Sequence, residues 1–508
     1  MPFGDHLHEE TRLPVETDIL YDVIIIGAGI SGIAAACQLS KKINGCRLRV
    51  FELQSDLGGV WRSHRYPGVA CDVPAPLYSY SFSPNGNWSS LNPSGIEILQ
   101  YFCRMCETFR VRERIQFNTL VNQLRWDEGN KLWQASIVEH HANGERHSST
   151  IRSRAVISAA GKFNEPKESA LDGIPGAQTF KGTILHTARW EDHVSLKEKD
   201  VLIIGTGCSA AQLVPELLSD SISVKSVTQV MKSPPWVAPR PLSENSLIQE
   251  QHILWMLRHL PILAQIVRLV MFAVAETNYF LIFKDNALCR LFQSIKRRAL
   301  LEYMRRNVPD HYHSTLTPHY EVGCKRLVQD AGWFQSLRSP RVNLTTSQIK
   351  RIEPEAVILS DDGSEETRVA ADAIILATGY KTSSLLQHIS IFGRDAVSLQ
   401  DVWAQRGGAQ AYLGVAMDKF PNLFFVFGPN SSVGHTSVLI GIESSISYIV
   451  KLIKRLTDGE VRVIEVKEEA CRSWTSRIQR ASRRSVWMAG GCRNWYVDDN
   501  GWNAMVYP

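Results

Sequence analysis

Two glycine clusters are the first residues in this chain whose types and spacing specify chemistry. In YDVIIIGAGISGIAAACQL the apolar run Val23 to Ile26 leads through Gly27, Gly29 and Gly32 into a helical pattern. This predicts a strand, a tight turn and a helix, with glycines that let the backbone approach a pyrophosphate at the helix N-terminus. The next apolar run, LRVFELQ, ends in Glu52, twenty residues after Gly32. A carboxylate at the end of that second strand accepts the hydroxyls of an adenosine ribose. The competing reading, a glycine-rich turn beside a surface glutamate, leaves the spacing unexplained.

A second copy follows at DVLIIGTGCSAAQLVPELL, where Val201 to Ile204 run into Gly205, Gly207 and, in the third position, Ala210. Its next strand, KSVTQVMKSPPW, ends in Lys232 and carries no acid where Glu52 stood. An ammonium there suits the 2′-phosphate of NADPH, although a solvated lysine is the ordinary occupant of a strand end. Two dinucleotide sites in one chain predict FAD in the first and NADPH in the second, since hydride passes from nicotinamide to flavin where the two rings meet. Disulfide reduction would need a redox pair beside the flavin. The one CxxC, Cys103 to Cys106, lies in the amphipathic pattern ILQYFCRMCETF, far in sequence from either turn, and reads as structural thiols.

These groups need a scaffold, and the chain is long enough for one: 508 residues at about 150 per domain make roughly three to four domain equivalents. An apolar share of 44% and a charged share of 21% are those of an ordinary folded protein. A net charge of +5 over this length argues against a nucleic-acid partner. The ten cysteines are scattered and the first nineteen residues hold acids and no apolar core, so a reducing, cytoplasmic setting is expected. The apolar stretch from Ile253 to Phe283 is interrupted by Arg258, Arg268 and Glu276, so no transmembrane helix is expected. The basic triplet Lys296-Arg297-Arg298 nearby keeps contact with a membrane surface open.

Two further buried runs end in small-residue turns, AVISAAGKF at Gly161 and ADAIILATGY at Thr378 and Gly379. At such turns a chain can cross between dinucleotide domains. The expected fold class is therefore α/β, with two nested Rossmann-like domains, for FAD and NADPH, and a helical insertion. The predicted division is an N-terminal tail at 1–19, FAD-binding parts at 20–165 and 370–508, NADPH-binding parts at 166–241 and 313–369, and the insertion at 242–312. The apolar face of that insertion, with Ile253, Leu254, Met256 and Leu257, reads as core or pocket lining.

The segment Phe180-Lys181-Gly182-Thr183-Ile184-Leu185-His186-Thr187-Ala188-Arg189-Trp190 resembles the fingerprint FxGxxxHxxxW of Baeyer–Villiger monooxygenases at all four fixed positions. The related motif of N- and S-oxygenating flavin monooxygenases ends in Phe or Tyr, so Trp190 favours the Baeyer–Villiger branch. One departure is Glu191, which stands before Asp192 where the family commonly has Pro or Asp directly. The resemblance runs from about Tyr21 to the C-terminus. Gly58-Gly59-Val60-Trp61, Arg65-Tyr66-Pro67-Gly68 and Cys71-Asp72 are similar to the segment that wraps the flavin, which implies cofactor contacts for Gly59, Trp61, Tyr66 and Asp72. Gly323-Cys324-Lys325-Arg326 is similar to the active-site arginine loop, and Gly428-Pro429-Asn430 with Gly434-His435-Thr436-Ser437 to the closing flavin-contacting turn. The ending Cys492-Arg493-Asn494-Trp495-Tyr496 resembles fungal members that act in secondary metabolism.

The resemblance implies an enzyme that uses FAD, NADPH and O2 to insert one oxygen atom beside a ketone carbonyl, giving an ester or lactone through a C4a-peroxyflavin. A polyketide or terpenoid is the expected substrate. An anionic oxygen nucleophile needs a fixed cation. Arg326 is the candidate, with Asp72 as its anchor and Lys325 beside it toward the NADP phosphates. His186 and Trp190 are placed at the domain hinge, the first organising motion and the second packing as an anchor. The rival readings are oxygenation of a heteroatom or carbon centre on the same scaffold, and a non-catalytic nucleotide-binding flavoprotein.

Overall fold

The structure is a computed structural model that describes residues 15–141, 143–240, 247–361, 365–382 and 385–508. Eight strands form the first sheet: β1 (Val15–Ile26), β2 (Leu48–Phe51), β3 (Ile115–Gln116), β4 (Thr119–Asp127), β5 (Leu132–His140), β6 (Arg146–Ser158) and the late strands Ser390–Phe392 and Leu423–Phe425. β1 is central, parallel to β2 on one side (Val23 opposite Leu48) and to β6 on the other (Val23 opposite Ala155). Side chains alternate across a strand, and here both faces are covered. Val23 and Ile25 enter one core with the helix α1 (Ile30–Lys42), while Ile24 and Ile26 enter a second core with Trp126 and Trp133. That is why the run reads as continuously apolar.

The second sheet holds β7 (Thr183–His186), β8 (Asp200–Ile204), β9 (Ser226–Val230) and the strands Val342–Thr345 and Ala373–Leu376, all parallel. Its order places Ala373–Leu376 between β8 and β7. This corrects the expected division at residue 370: that strand is hydrogen-bonded on both edges within the second sheet, so the chain returns to the first sheet only after Leu376. The expected tail at 1–19 is also shortened. β1 starts at Val15, with Glu16 opposite Thr150 on β6, and residues 1–14 lie outside the described residues.

Among the described residues four α-helices precede the insertion: α1, the short α2 (Val60–Ser63), α3 (Gly95–Thr108) and α4 (Cys208–Leu218). Cys106 is fully buried and Cys103 partly buried on α3, and burial raises the pKa of both, as suits packing thiols. The insertion forms α5 (Leu247–His259), α6 (Pro261–Ile282) and α7 (Ala287–Asn307). Leu254 and Leu257 are core as expected. Among the described residues α6 is the one helix long and apolar enough, by length and composition, to cross a membrane. Arg268 and Glu276 lie within it.

Candidate active site

The first glycine turn is built by close approach. Gly27 has φ +100°, and a Cβ there would meet the carbonyl oxygen of Ala159 at 2.7 Å. A Cβ on Gly59 would stand 2.9 Å from the Cα of Gly29, so the segment expected to wrap a flavin is pressed on the turn itself. Gly32 faces inward, where a Cβ would collide with the carbonyl of Gly27. α1 begins at Gly29 with no side-chain cap and no acid in its first turn, which leaves amide donors for an anion. Glu52 is buried at the end of β2, where one oxygen accepts from Ala28 N–H at 2.6 Å and the other from Gln54 N–H at 2.9 Å. Burial pushes its pKa up while those donors pull it down. A nucleotide of the FAD kind fits this cradle.

The second turn is more open. A Cβ on Gly207 would meet nothing within 4 Å, and α4 starts there, again with no side-chain cap and no first-turn acid. Ala210 packs at 0% exposure in the core beneath. Lys232 stands exposed at the end of β9, and Lys325 reaches the same place, donating to Ser233 Oγ at 2.6 Å. Burial and the nearby Lys232 charge lower the Lys325 pKa. Two like charges brought together at this strand end suit a phosphate, so the residues present fit an NADPH-type cofactor as well.

Between the turns lies the Arg326–Asp72 pair, one partner from each dinucleotide unit. Arg326 donates from Nη2 to both Asp72 oxygens at 2.9 Å and from Nε to one of them at 3.1 Å. Both side chains are largely buried, 28% and 22% exposed. The Asp72 charge raises the Arg326 pKa further, so the guanidinium stays charged at any working pH. Gln212 on α4 donates to the carbonyl of Ala70, two residues before Asp72, at 3.1 Å, which sets the Asp72 segment against that helix. Trp61 Nε1 donates to the Tyr78 hydroxyl at 3.0 Å.

Other expected residues have structural duties. His186 is buried at the end of β7, accepts from Ala188 N–H at 3.0 Å through Nδ1, and pairs through Nε2 with the Thr378 hydroxyl at 3.3 Å. Thr378 in turn donates to the Lys167 carbonyl at 2.6 Å, so the fingerprint histidine ties β7 to the turn through Thr378 and Gly379, where the chain crosses. Desolvation lowers its pKa, which keeps the ring neutral. Trp190 packs partly buried on the second core. Tyr66, expected beside the flavin, packs in that second core and donates to Gln212 Oε1 on α4 at 2.8 Å. Asn430, with φ +56°, donates to the carbonyl of Asn503 at 2.7 Å and so latches the C-terminal segment.

Two features escaped the sequence reading. Lys162, directly after the Gly161 turn, is buried, bonds Ser432 Oγ at 3.1 Å and lies 4.6 Å over the Phe427 ring. Desolvation lowers its pKa to about 7. Its position after an apolar strand was the available signal. Cys324, two residues before Arg326, is disulfide-bonded to Cys492, 168 residues away, a pairing that the scattered cysteines and the expected reducing setting did not indicate. Only folding brings those two together.

Residues 25–91 match the family model of the NAD(P)-binding Rossmann-like domain, and residues 87–255 match that of L-lysine 6-monooxygenase/L-ornithine 5-monooxygenase. The chain is 31% identical over 488 residues to a Baeyer–Villiger monooxygenase of Pseudomonas aeruginosa, covering 96% of this chain and 87% of that protein. It is 31% identical to an FAD-binding monooxygenase of Aspergillus niger, covering 94% and 77%. Among solved structures, cyclohexanone monooxygenase from Rhodococcus sp. Phi1 bound to NADP+ superposes with a TM-score of 0.79 at 23% identity, over 97% of this chain and 95% of that one. An oxidized steroid monooxygenase bound to NADP gives 0.76 at 25% identity, over 96% and 95%.

Proposed function

The chain belongs to the Baeyer–Villiger monooxygenase family, and we propose that it inserts one oxygen atom from O2 beside the carbonyl of an apolar ketone, giving an ester or lactone. The observation that carries this reading is the Arg326–Asp72 pair, a permanently charged guanidinium held in a bidentate grip between two dinucleotide turns. FAD, reduced by NADPH, supplies the activation of O2 when bound. Gly27, Gly29, Gly59 and Glu52 would hold the FAD, while Gly205, Gly207, Lys232 and Lys325 would hold the NADPH.

The chain's own contribution is electrostatic. Asp72 takes the Nε and Nη2 edge of Arg326, and Nη1 makes none of those bonds. A fixed donor of this kind stabilises negative charge on a carbonyl oxygen under attack without reorganising during the reaction. His186, kept neutral by burial, acts as a positioning residue for the Thr378 turn rather than as a proton donor. Trp236, Tyr320, Trp487 and Tyr496 are buried in one apolar core with Cys324, two residues before Arg326. A polyketide or terpenoid ketone is the proposed class, supported by the fungal likeness of the Cys492 to Tyr496 ending. Dependence on NADPH supports a cytoplasmic location.

Arg326→Ala tests the reading. The variant is expected to retain FAD and lose ester or lactone formation, with the inserted oxygen located by NMR in the wild-type product. Full product turnover by Arg326→Ala refutes the assignment. The match of residues 87–255 to lysine and ornithine monooxygenases supports a second reading, oxygenation of a nitrogen centre. Oxygen on a heteroatom, and no effect of Arg326→Ala on it, would favour that reading.

A further inference from the structure

The faces of α6 are reversed relative to an ordinary surface helix. Its charges point inward: Arg268 donates to the Ser79 carbonyl at 2.8 Å and lies 3.8 Å from Glu443, and Glu276 accepts from His435 Nε2 at 2.9 Å. Its apolar side chains point outward. Ile262, Ile266, Leu269, Val270 and Phe280, spaced for one helical face, are 50% to 78% exposed. α7 extends the surface with Leu288, Leu291 and Ile295 at 55% to 58%. Of the nineteen large apolar residues exposed among the described residues, twelve lie between Trp255 and Ile295. Singly scattered exposed residues are normal, but a concentration of this kind marks an interaction surface.

Charge identifies the partner. Residues 255–300 contain seven Lys or Arg and two acids, a balance of 7 − 2 = +5, which equals the formal charge of the whole chain. The other 462 residues therefore sum to zero. Removing the inward pair Arg268 and Glu276 leaves 6 − 1 = +5 for the rest of the segment. Arg298 is exposed on α7 beside the outward Leu291 and Ile295, Arg290 is exposed and lies 3.8 Å from Asp285, and Lys284 is exposed at the turn between the helices. An apolar face accompanied by cations is the pattern of a helix lying in the plane of an anionic bilayer. A second copy of this chain fits less well, because a two-fold contact would set +5 against +5. A spanning arrangement fails on the inward contacts, since Tyr279 and Ile282 are buried and Arg268 and Glu276 hold α6 flat against the body.

We propose that the α6–α7 hairpin is a monotopic membrane-binding element that lays its outward apolar face on an anionic phospholipid surface. This rests on the surface alone and not on the reaction assigned above. The test is co-sedimentation of the FAD-loaded full chain with phosphatidylserine-containing vesicles, pure phosphatidylcholine vesicles serving for comparison. Binding is expected to the former, to weaken with added salt, and to be far weaker to the latter. Ile266→Glu with Leu269→Glu should reduce it about a hundredfold, roughly tenfold for each side chain withdrawn from lipid, with bound flavin and NADPH oxidation unchanged. Should that variant fail to fold, the milder Ile262→Gln with Val270→Gln carries the same expectation. Arg290→Glu with Arg298→Glu should abolish the preference for anionic lipid. The proposal is overturned by absence of wild-type binding, by full binding of the apolar-face variants, by self-association that the same variants abolish without any lipid binding, or by extraction only with detergent, as for a spanning helix.

Discussion

Replacing Asp72 by Asn removes one charge from a pair joined by three hydrogen bonds of 2.9 to 3.1 Å and keeps the shape of the side chain. Breaking a fully buried pair costs about 3–5 kcal/mol. Here the two side chains are 28% and 22% exposed, so partial hydration discounts the cost to about 2–3 kcal/mol. If half or more of that loss falls on the step Arg326 assists, turnover drops roughly 5- to 150-fold. The assay is steady-state product formation, by chromatography of the ester or lactone, alongside NADPH consumption. The pH profile carries the diagnosis. An arginine remains protonated with or without its partner, so Asp72→Asn should lower kcat at every pH without moving the profile. A carboxylate acting as a proton acceptor would instead lose its acid limb on mutation. Turnover within about threefold of wild type, or a profile that shifts, would refute the view that Asp72 works by orienting Arg326.

Four other outcomes follow from named contacts. Lys162 has a native pKa near 7 against an ordinary value of 10.5, so the unfolded chain binds the extra proton between those limits. Stability should rise with pH across that window by up to about 1.4 kcal/mol per unit, and thermal melts of Lys162→Met should show a flatter dependence than wild type. Reducing the Cys324–Cys492 bond, or Cys324→Ser with Cys492→Ser, should cost about 2–4 kcal/mol, read as a lower melting temperature, and should reduce turnover by loosening the Arg326 loop. Lys325→Ala should raise KM for NADPH by about tenfold while leaving KM for NADH nearly unchanged; an equal effect on both would deny it the 2′-phosphate. Gly182→Ala would set a Cβ 2.4 Å from the Asp372 carbonyl and against the Phe180 ring, so it should destabilise the chain by about 1–3 kcal/mol in chemical denaturation.

The features legible in the sequence are those whose physics is local. Val23 to Ile26 and Val201 to Ile204 are strands buried on both faces, and each must be followed by glycines for a helix to begin at a phosphate. These facts need only neighbours along the chain, as does the position of Glu52 at the next strand end. The nested order of the two sheets was legible too, because each crossing leaves a small-residue turn. Its exact place was not: the strand Ala373–Leu376 belongs to the second sheet through bonds to residues about 170 and 190 positions earlier.

Everything that depended on which side of an element faces what was decided by tertiary structure. Arg268 and Glu276 read as interruptions of an apolar run, yet they turn inward to Glu443 and His435 and leave the apolar side chains outside. Tyr66 and Asn430 read as flavin contacts, and the fold adds partners that the sequence did not indicate, Gln212 for the first and the C-terminal Asn503 for the second. The pairing of Cys324 with Cys492 has no signature in spacing at all, and that of Arg326 with Asp72 across 254 positions was legible through the family resemblance and not through spacing. A residue's type sets what it can bond, its local period sets the element that carries it, and only the closed fold sets which partner arrives.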